Sequence, residues 1–296
     1  MTKMRRSKSD LIFDIINTTF LALILTIVAY PLIYILSASV SDPAKVTSGE
    51  VWLWPIGLNF RGYAGVLTNK PVLMGYANSF YYAIVGTLFN VFMTMIAAYP
   101  LSRREFYGRN VLMFLITFTM MFSGGLIPTY LLVKSLGMVN TRAALIIPGA
   151  IGVWNLIITR VFLQTSIPAE LYDSAEIDGA GDMYTFVKIV LPLARPVVAV
   201  ITLYYAVDHW NSYFNALIYL NKQNLFPLQI PLRNILILNN MDMTMLADVE
   251  EMVRRQQLVE LLKYSLIVVA SLPVMMLYPF VQKHFVKGLL IGSVKG

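Results

Sequence analysis

Residues 11–36 read LIFDIINTTFLALILTIVAYPLIYIL, an apolar run with a single charged side chain, Asp14. A helix over these residues is about 39 Å long at about 1.5 Å per residue, which exceeds the roughly 30 Å thickness of the hydrocarbon core of a bilayer. Basic residues precede the run, but it is much longer than the apolar segment of about 7–15 residues in a signal peptide. We therefore interpret it as a retained transmembrane helix.

The whole chain has the composition of a membrane protein. Of its 296 residues, 57% are apolar and 13% are charged, and the mean hydropathy is +0.66. A soluble domain carries about 25% charged residues, so this chain has too few to cover a globular surface in water. The net charge of +7 favours basic loops at an anionic membrane face over nucleic-acid binding. With no cysteine and two histidines, neither a disulfide framework nor a metal site is expected.

Apolar runs of about 20 residues predict six transmembrane helices. The predicted fold class is an all-α polytopic membrane protein. Residues 1–10 form a cytoplasmic N-terminus, and residues 11–296 form one transmembrane domain that includes a long inner loop at residues 166–196. The predicted helices cover residues 11–36, 72–100, 110–133, 143–162, 196–220 and 261–281.

Lysine and arginine in short loops set the orientation, because they accumulate on the cytoplasmic side. With a cytoplasmic N-terminus, the inner segments hold 13 and the outer segments 10 of the 23 basic residues. Most outer charges lie in two long loops, where the rule is weak, whereas the short inner loop at residues 101–109 is densely basic. We predict that both termini are cytoplasmic.

The most informative stretch reads SIPAELYDSAEIDGAGDMYTFVKIVLPLARP at residues 166–196. Pro168 suits the first turn of a helix, where its missing N–H is not needed. Gly179 and Gly181 allow the positive φ that ends a helix, and Asp182 can cap a second one through its side chain. The pattern predicts two short helices at the membrane surface, joined by a DGAG turn.

Five carboxylates in this stretch admit three interpretations. A solvated helical face is favoured over a metal site, because neither the spacing of a calcium loop nor a nearby histidine is present. The third interpretation is a docking helix that fits a groove on a soluble partner, for which Ala175, Gly179 and Ala180 are small enough. The carboxylates are Glu170, Asp173, Glu176, Asp178 and Asp182.

The same stretch resembles the EAA signature of type I ABC-importer permeases. The signature reads E-A-A, then D-G-A, then F-x-x-I-x-L-P, and its counterparts here begin at Asp173, Asp178 and Phe186. Asp and Ser stand in place of the first Glu and Ala. Blocks at residues 78–103 and 282–288 are similar to the carbohydrate-uptake, maltose-type branch. The second of these looks most like the subgroup that handles oligosaccharides from complex polysaccharides, including acidic ones.

The resemblance implies a division of labour in a bacterial cytoplasmic membrane. A second, different permease subunit would complete the pore, two ATPase subunits would hold ATP and Mg²⁺, and an extracytoplasmic solute-binding protein would deliver an oligosaccharide for alternating-access transport. This chain would be neither an enzyme nor a cofactor protein, and it lacks a G-x-x-x-x-G-K-[ST] motif. Residues 168–178 would form the coupling helix. The residues implied in ATPase coupling are Glu170, Asp173, Ser174, Ala175, Asp178, Gly179 and Ala180.

A polar stripe in the fifth predicted helix indicates a substrate path. Tyr204, Asp208, Asn211 and Asn215 recur at helical spacing, which places them on one face over about 16 Å. A polar stripe facing lipid is costly, so it faces protein or water. Together with Trp210 it offers the hydrogen bonds and aromatic surface that sugars require. The alternative is a polar packing seam.

Other polar residues leave further alternatives open. Asn78, Ser79 and Tyr82 in the second predicted helix are candidates for the path, but small and polar residues at this spacing equally indicate close helix packing. Asp208 is the one plausible relay for an ion-coupled secondary transporter, which is the main rival function. An intramembrane hydrolase is disfavoured by the scarcity of histidine and the absence of cysteine.

Overall fold

The computed structural model describes residues 8–237, 257 and 259–276. All regular secondary structure within these residues is helical, which confirms the all-α prediction. Two compact units share the chain, one drawn from Met1–Asn69 and Arg233–Ser271 and the other from Lys70–Leu232 and Leu272–Gly296. The predicted C-terminal block at residues 282–288 lies outside the described residues.

The described helices fall into three groups by length and apolar character. Lys8–Ser39 (α1), Lys70–Ser102 (α4) and Val259–Met276 (α14) are each long and apolar enough to cross a membrane. Two bent pairs raise this number to five if each pair crosses once: Arg109–Met121 (α5) with Leu126–Ser135 (α6), and Asp182–Leu193 (α10) with Arg195–Trp210 (α11). The shorter helices are Pro43–Thr47 (α2), Arg61–Thr68 (α3), Ala143–Ile146 (α7), Val153–Ser166 (α8), Ala169–Ile177 (α9), Phe214–Tyr219 (α12) and Gln229–Ile237 (α13).

The first unit is organised around α1. After α1 ends at Ser39, the Ser41 hydroxyl donates to the Ser37 carbonyl at 2.6 Å, and the Asp42 side chain caps α2 by accepting from the Ala44 N–H. In the same unit the rings of Tyr34 and Tyr264 meet edge to face with centroids 5.8 Å apart. The chain after α1 therefore passes through a short hydrogen-bonded turn into α2, and α3 follows further along the same segment.

Three of the predicted helices are interrupted. Residues 110–133 form α5 and α6, which meet at 115° where Gly125 adopts a φ of +88°. Residues 143–162 form α7 and α8, separated by the segment 147–152, and residues 196–220 form α11 and α12. The prediction of a continuous helix was wrong in each case. Glycines at the first break, proline and glycines at the second and a polar turn at the third release backbone groups from the helical ladder.

The second unit is built on the C-terminal half of α4, which packs against α8 and α11. Leu156, Leu163 and Ile201 are almost completely buried at this junction. Lipid tails are as apolar as leucine, so close packing and hydrogen bonds between helices hold such a unit together. The Thr94 and Tyr205 hydroxyls lie 2.7 Å apart across the α4–α11 contact. These contacts hold α8 and α11 in place, and these two helices flank the loop at residues 166–196.

Candidate coupling helix and substrate path

Helix α9 has defined signals at both ends. Pro168 precedes it in an extended conformation, and Glu170 lies in its first turn, where a carboxylate interacts favourably with the helix dipole. At its end Gly179 adopts a φ of +74°. The Gly179 N–H donates to the Glu176 carbonyl at 3.0 Å and the Ala180 N–H to the Ala175 carbonyl at 2.9 Å, which is the Schellman arrangement. The predicted helix over residues 168–178 is confirmed to within one residue at each end.

The second helix begins differently from the prediction. Gly181 occupies the N-cap position with a φ of −72°, and Asp182 is the first helical residue with no side-chain cap bond. The prediction that Asp182 caps this helix was wrong, since its carboxylate lies one position further in, where the helix dipole still favours it. Of the two glycines, only Gly179 uses positive φ. Helix α10 then bends by 79° into α11.

The predicted coupling residues do not share one environment. Ala175 is only 5% exposed, so it packs inside the chain and offers no surface to a partner, contrary to the small-residue docking interpretation. Ala180 is half-buried, and its N–H closes the helix end. The residues that are exposed are Glu170, Asp173, Ser174, Asp178 and Gly179.

Large apolar side chains missed by the sequence pattern flank the turn between α9 and α10. Ile177 is 86% exposed and Tyr184 is 60% exposed. Ile177 stands between Glu176 and Asp178, and Tyr184 lies off the apolar stripe that begins at Phe186, so a helical-periodicity argument assigns neither to an apolar face. An exposed apolar side chain at the end of a surface helix is the kind of anchor that a helix offers to a partner's groove.

The base of α9 contacts the basic loop at residues 101–109. The Arg103 guanidinium carbon lies 3.9 Å from the centre of the Tyr172 ring, and Arg103 Nε pairs with Glu105 at 3.2 Å. Burial raises the pKa of the Tyr172 phenol, so the ring that Arg103 meets is neutral near pH 7. Nearby, the rings of Tyr99 and Phe186 lie 4.9 Å apart. The two loops that were predicted to be cytoplasmic therefore lie together.

The predicted substrate-path stripe is not one helical face. Helix α11 ends at Trp210, the Ser212 N–H donates to the His209 carbonyl, and Asn215 belongs to α12. The prediction of a continuous face from residue 204 to residue 215 was wrong, because the polar turn at residues 211–213 offers the backbone other hydrogen bonds. The exposed members of the stripe are Tyr204, Asp208, Asn211 and Asn215. That these residues line a substrate path stays a prediction.

Trp210 differs from the rest of the stripe because it is buried. Its ring meets Tyr76 at 5.6 Å and Phe80 at 5.2 Å between centroids, both edge to face. Such contacts stabilise helix packing beyond the area they bury. Trp210 therefore packs the end of α11 against α4. Because its ring is buried in this conformation, a sugar cannot contact it.

The second-helix candidates are also buried, and they hold one segment in place. Asn78 donates to the carbonyls of Asn224 and Phe226 at 2.8 and 3.1 Å. Tyr82 donates to the Leu225 carbonyl at 2.9 Å, while Ser79 Oγ accepts from the Leu228 N–H at 2.9 Å. A buried carbonyl without a partner is costly, so these side chains stabilise the irregular segment 223–228. In this conformation the three make packing contacts within the chain.

A buried polar cluster at the break before α8 was not predicted. Asn90 donates to the Gly149 carbonyl and lies 3.0 Å from His209 Nε2, and the Gly152 N–H donates to the Tyr205 hydroxyl at 2.9 Å. Since the Asn90 amide nitrogen donates to Gly149, its oxygen accepts and His209 Nε2 donates. His209 is buried and Asp208 is exposed, so these two adjacent residues do not share one environment.

Comparison with known proteins identifies the family of this chain. Residues 72–291 match the model of the binding-protein-dependent transport system inner membrane component. The chain belongs to this family. It is therefore a permease subunit of the ABC-importer type, embedded in a membrane, and importers of this type combine permease, ATPase and binding-protein components.

Individual members of the family are similar over nearly the whole chain. LplC of Bacillus subtilis (strain 168) is 41% identical over 99% of this chain and 98% of its own length. The polygalacturonan/rhamnogalacturonan transport system permease protein YtcP of the same organism is 42% identical over 96% of this chain and 99% of its own. A chain from the crystal structure of a bacterial ABC transporter involved in the import of the acidic polysaccharide alginate superposes with a TM-score of 0.86 at 34% identity, covering 96% of this chain and all of the other.

Proposed function

We propose that this chain forms half of the pore of an ATP-driven importer of oligosaccharides derived from acidic polysaccharides. Support for the substrate class comes from the similarity to YtcP and to the alginate-importer chain. The other half of the pore is a different permease, two separate ATPase subunits hydrolyse ATP, and a solute-binding protein delivers the sugar from outside. The assembly lies in the bacterial cytoplasmic membrane, with both termini and the loop at residues 166–196 on the inner side.

The main structural support for this proposal is helix α9. It is a nine-residue helix with mostly exposed residues and a large apolar side chain, Ile177, at its end. ATP binding draws the ATPase subunits together, and α9 transmits this movement to the spans. The ATP-bound motor stabilises one conformation of the pore over the other, since a ligand shifts an equilibrium only by its differential affinity for the two states. The chain itself performs no covalent chemistry.

Reconstitution in proteoliposomes tests the proposal. The chain, its second permease and the ATPase subunits are incorporated together, and uptake of galacturonate oligomers is compared with that of neutral malto-oligosaccharides in the presence of the binding protein. We expect uptake of the acidic oligomers that requires ATP on the ATPase side. Uptake driven by a proton gradient without the ATPase subunits would contradict the proposal and favour an ion-coupled transporter with Asp208 as its relay.

The exposed members of the polar stripe provide a prediction about the path. Asp208→Leu and Asn211→Leu are expected to reduce uptake about tenfold each. Removing one partner of a buried hydrogen bond costs about 1–3 kcal/mol, and about 1.4 kcal/mol corresponds to a tenfold change. Binding of the ATPase subunits is expected to be unchanged. The matched control is Thr202→Leu, an exposed polar position on the same helix. Normal uptake by both stripe variants would exclude the stripe as the path.

The contact between Arg103 and Tyr172 provides a prediction about coupling. Arg103→Gln and Tyr172→Leu are each expected to lower sugar transported per ATP about three- to tenfold, since a partly buried cation–π contact contributes about 0.5–2 kcal/mol. Tyr172→Phe keeps the ring and is expected to behave like the wild type. The double variant is expected to be no worse than either single one. Strictly additive effects would show that the two residues act independently.

A further inference from the structure

An apolar groove runs between α4 and α10 and is separate from the exposed polar stripe. It encloses about 870 Å³. On α4 its lining follows one helical face from Leu88 through Phe92 and Ile96 to Arg103, and on α10 it includes Val187. Leu88 and Phe92 remain 67% and 60% exposed, so the residues that the structure describes leave the groove uncovered. Other α10 residues at the groove are Met183, Phe186 and Leu191.

The dimensions of the groove match one leaflet of a bilayer. From Leu88 to Arg103 the lining rises by about 22 Å at about 1.5 Å per residue. Half of a bilayer, including its headgroup region, is about 20–22 Å thick. Helix α10 bends by 79° away from α11, so if α11 crosses the membrane, α10 lies near the membrane plane. The groove is therefore the corner between a helix that crosses the bilayer and one that lies at its surface.

Charged residues occur at one end of the groove. Arg103, Glu105 and Asp182 line this end, whereas the opposite end is lined by apolar residues such as Leu88 and Phe92. One cation and two carboxylates give the rim both signs and a net charge of −1. An occupant with an apolar body and a purely anionic head fits this rim poorly. A head that carries both a phosphate and an ammonium group can meet Arg103 with the first and a carboxylate with the second.

We propose that this groove binds an aminophospholipid of the phosphatidylethanolamine type. Its acyl chains lie along the Leu88–Ile96 face of α4, its phosphate meets the part of the Arg103 guanidinium that the Nε–Glu105 pair leaves open, and its ammonium group meets Asp182. The lipid fills a corner that the protein leaves open, and its head lies at the rim formed by the basic loop and the start of α10. The site depends on the fold of one subunit and does not rest on the proposed sugar substrate.

Photo-crosslinking of the assembled transporter tests the site. The complex is reconstituted with diazirine-labelled phosphatidylethanolamine or with phosphatidylglycerol carrying the same acyl label, and adducts are located by mass spectrometry. We expect adducts at Phe92, Ile96 or Val187 and a preference for the ethanolamine lipid. Because the chain contains no cysteine, Ile96→Cys introduces its only thiol. Disulfide crosslinking of that thiol to a cysteine in the second permease, without lipid adducts, would overturn the proposal.

Reversal of the rim charge makes the test specific for the headgroup. Asp182→Lys changes the rim by two unit charges, which is expected to shift the ratio of ethanolamine to glycerol adducts by about tenfold toward glycerol. Glu105→Lys, at an exposed side chain, is a second variant with the same expected direction. Asp10→Lys makes the same change at an exposed position outside the groove and is expected to leave the ratio unchanged. A ratio that neither rim variant moves would refute headgroup recognition.

Discussion

Ile177→Asp is expected to lower ATP-dependent uptake by the assembled transporter more than tenfold and to reduce co-purification of the ATPase subunits. Ile177 is 86% exposed at the end of α9. Burying such a side chain in a partner's groove contributes about 1.5–3 kcal/mol, and a carboxylate in its place would be buried without a partner. Since about 1.4 kcal/mol corresponds to a tenfold change in an equilibrium constant, docking loses at least this factor.

Two comparisons separate docking from folding in this experiment. Ile177→Leu preserves an apolar side chain of similar volume and is expected to retain uptake and co-purification. Gly179→Asp also adds a charge at the turn, but Gly179 has a φ of +74°, so any side chain there strains the Schellman closure as well. Ile177→Asp tests the surface alone. Full ATPase co-purification and normal uptake by that variant would contradict the coupling role of α9.

The parts of the fold that local sequence determines were predicted well. Helix α1 was predicted from one apolar run, and the structure extends it by three residues at each end. Helix α9 was predicted from a proline, a periodic pattern and a glycine, because each of these acts through the backbone of its own neighbours. The role of Ala175 was misjudged because its burial depends on what the helix packs against. The sequence pattern of a small residue is the same in a packed helix face and in a docking surface.

The breaks in the predicted spans could not be read from local sequence. A backbone N–H or C=O released inside a membrane must find another partner, so a break survives only where a distant side chain supplies one. Between α7 and α8 these partners are Asn90, which reaches Gly149, and Tyr205, which accepts from Gly152. They lie 59 and 53 residues away along the chain. Buried polar side chains from other helices thus satisfy the backbone at this break.

Gly86→Ala is expected to destabilise the assembled chain by about 1–3 kcal/mol, the usual range for forcing an extra methyl group into a packed core. Gly86 lies in a π-helical turn of α4, and a Cβ atom there would approach His209 Nε2 to 2.4 Å and Cε1 to 2.6 Å. The imidazole cannot move aside freely, because it is buried and bonded to Asn90. The measurement is the thermal unfolding midpoint of the purified complex, followed by fluorescence-detected size exclusion.

A control and a second background make this prediction specific to the Gly86–His209 contact. Gly124→Ala adds the same methyl group at a glycine outside the helices, where the new Cβ atom would meet only Pro128 Cβ at an ordinary 3.7 Å, and is expected to leave the midpoint unchanged. In a His209→Ala background the ring is gone, so Gly86→Ala is expected to have little further effect, which is the non-additivity of residues in direct contact. An equal loss of stability in both backgrounds would show that the π-helical turn, and not the imidazole, requires glycine at this position.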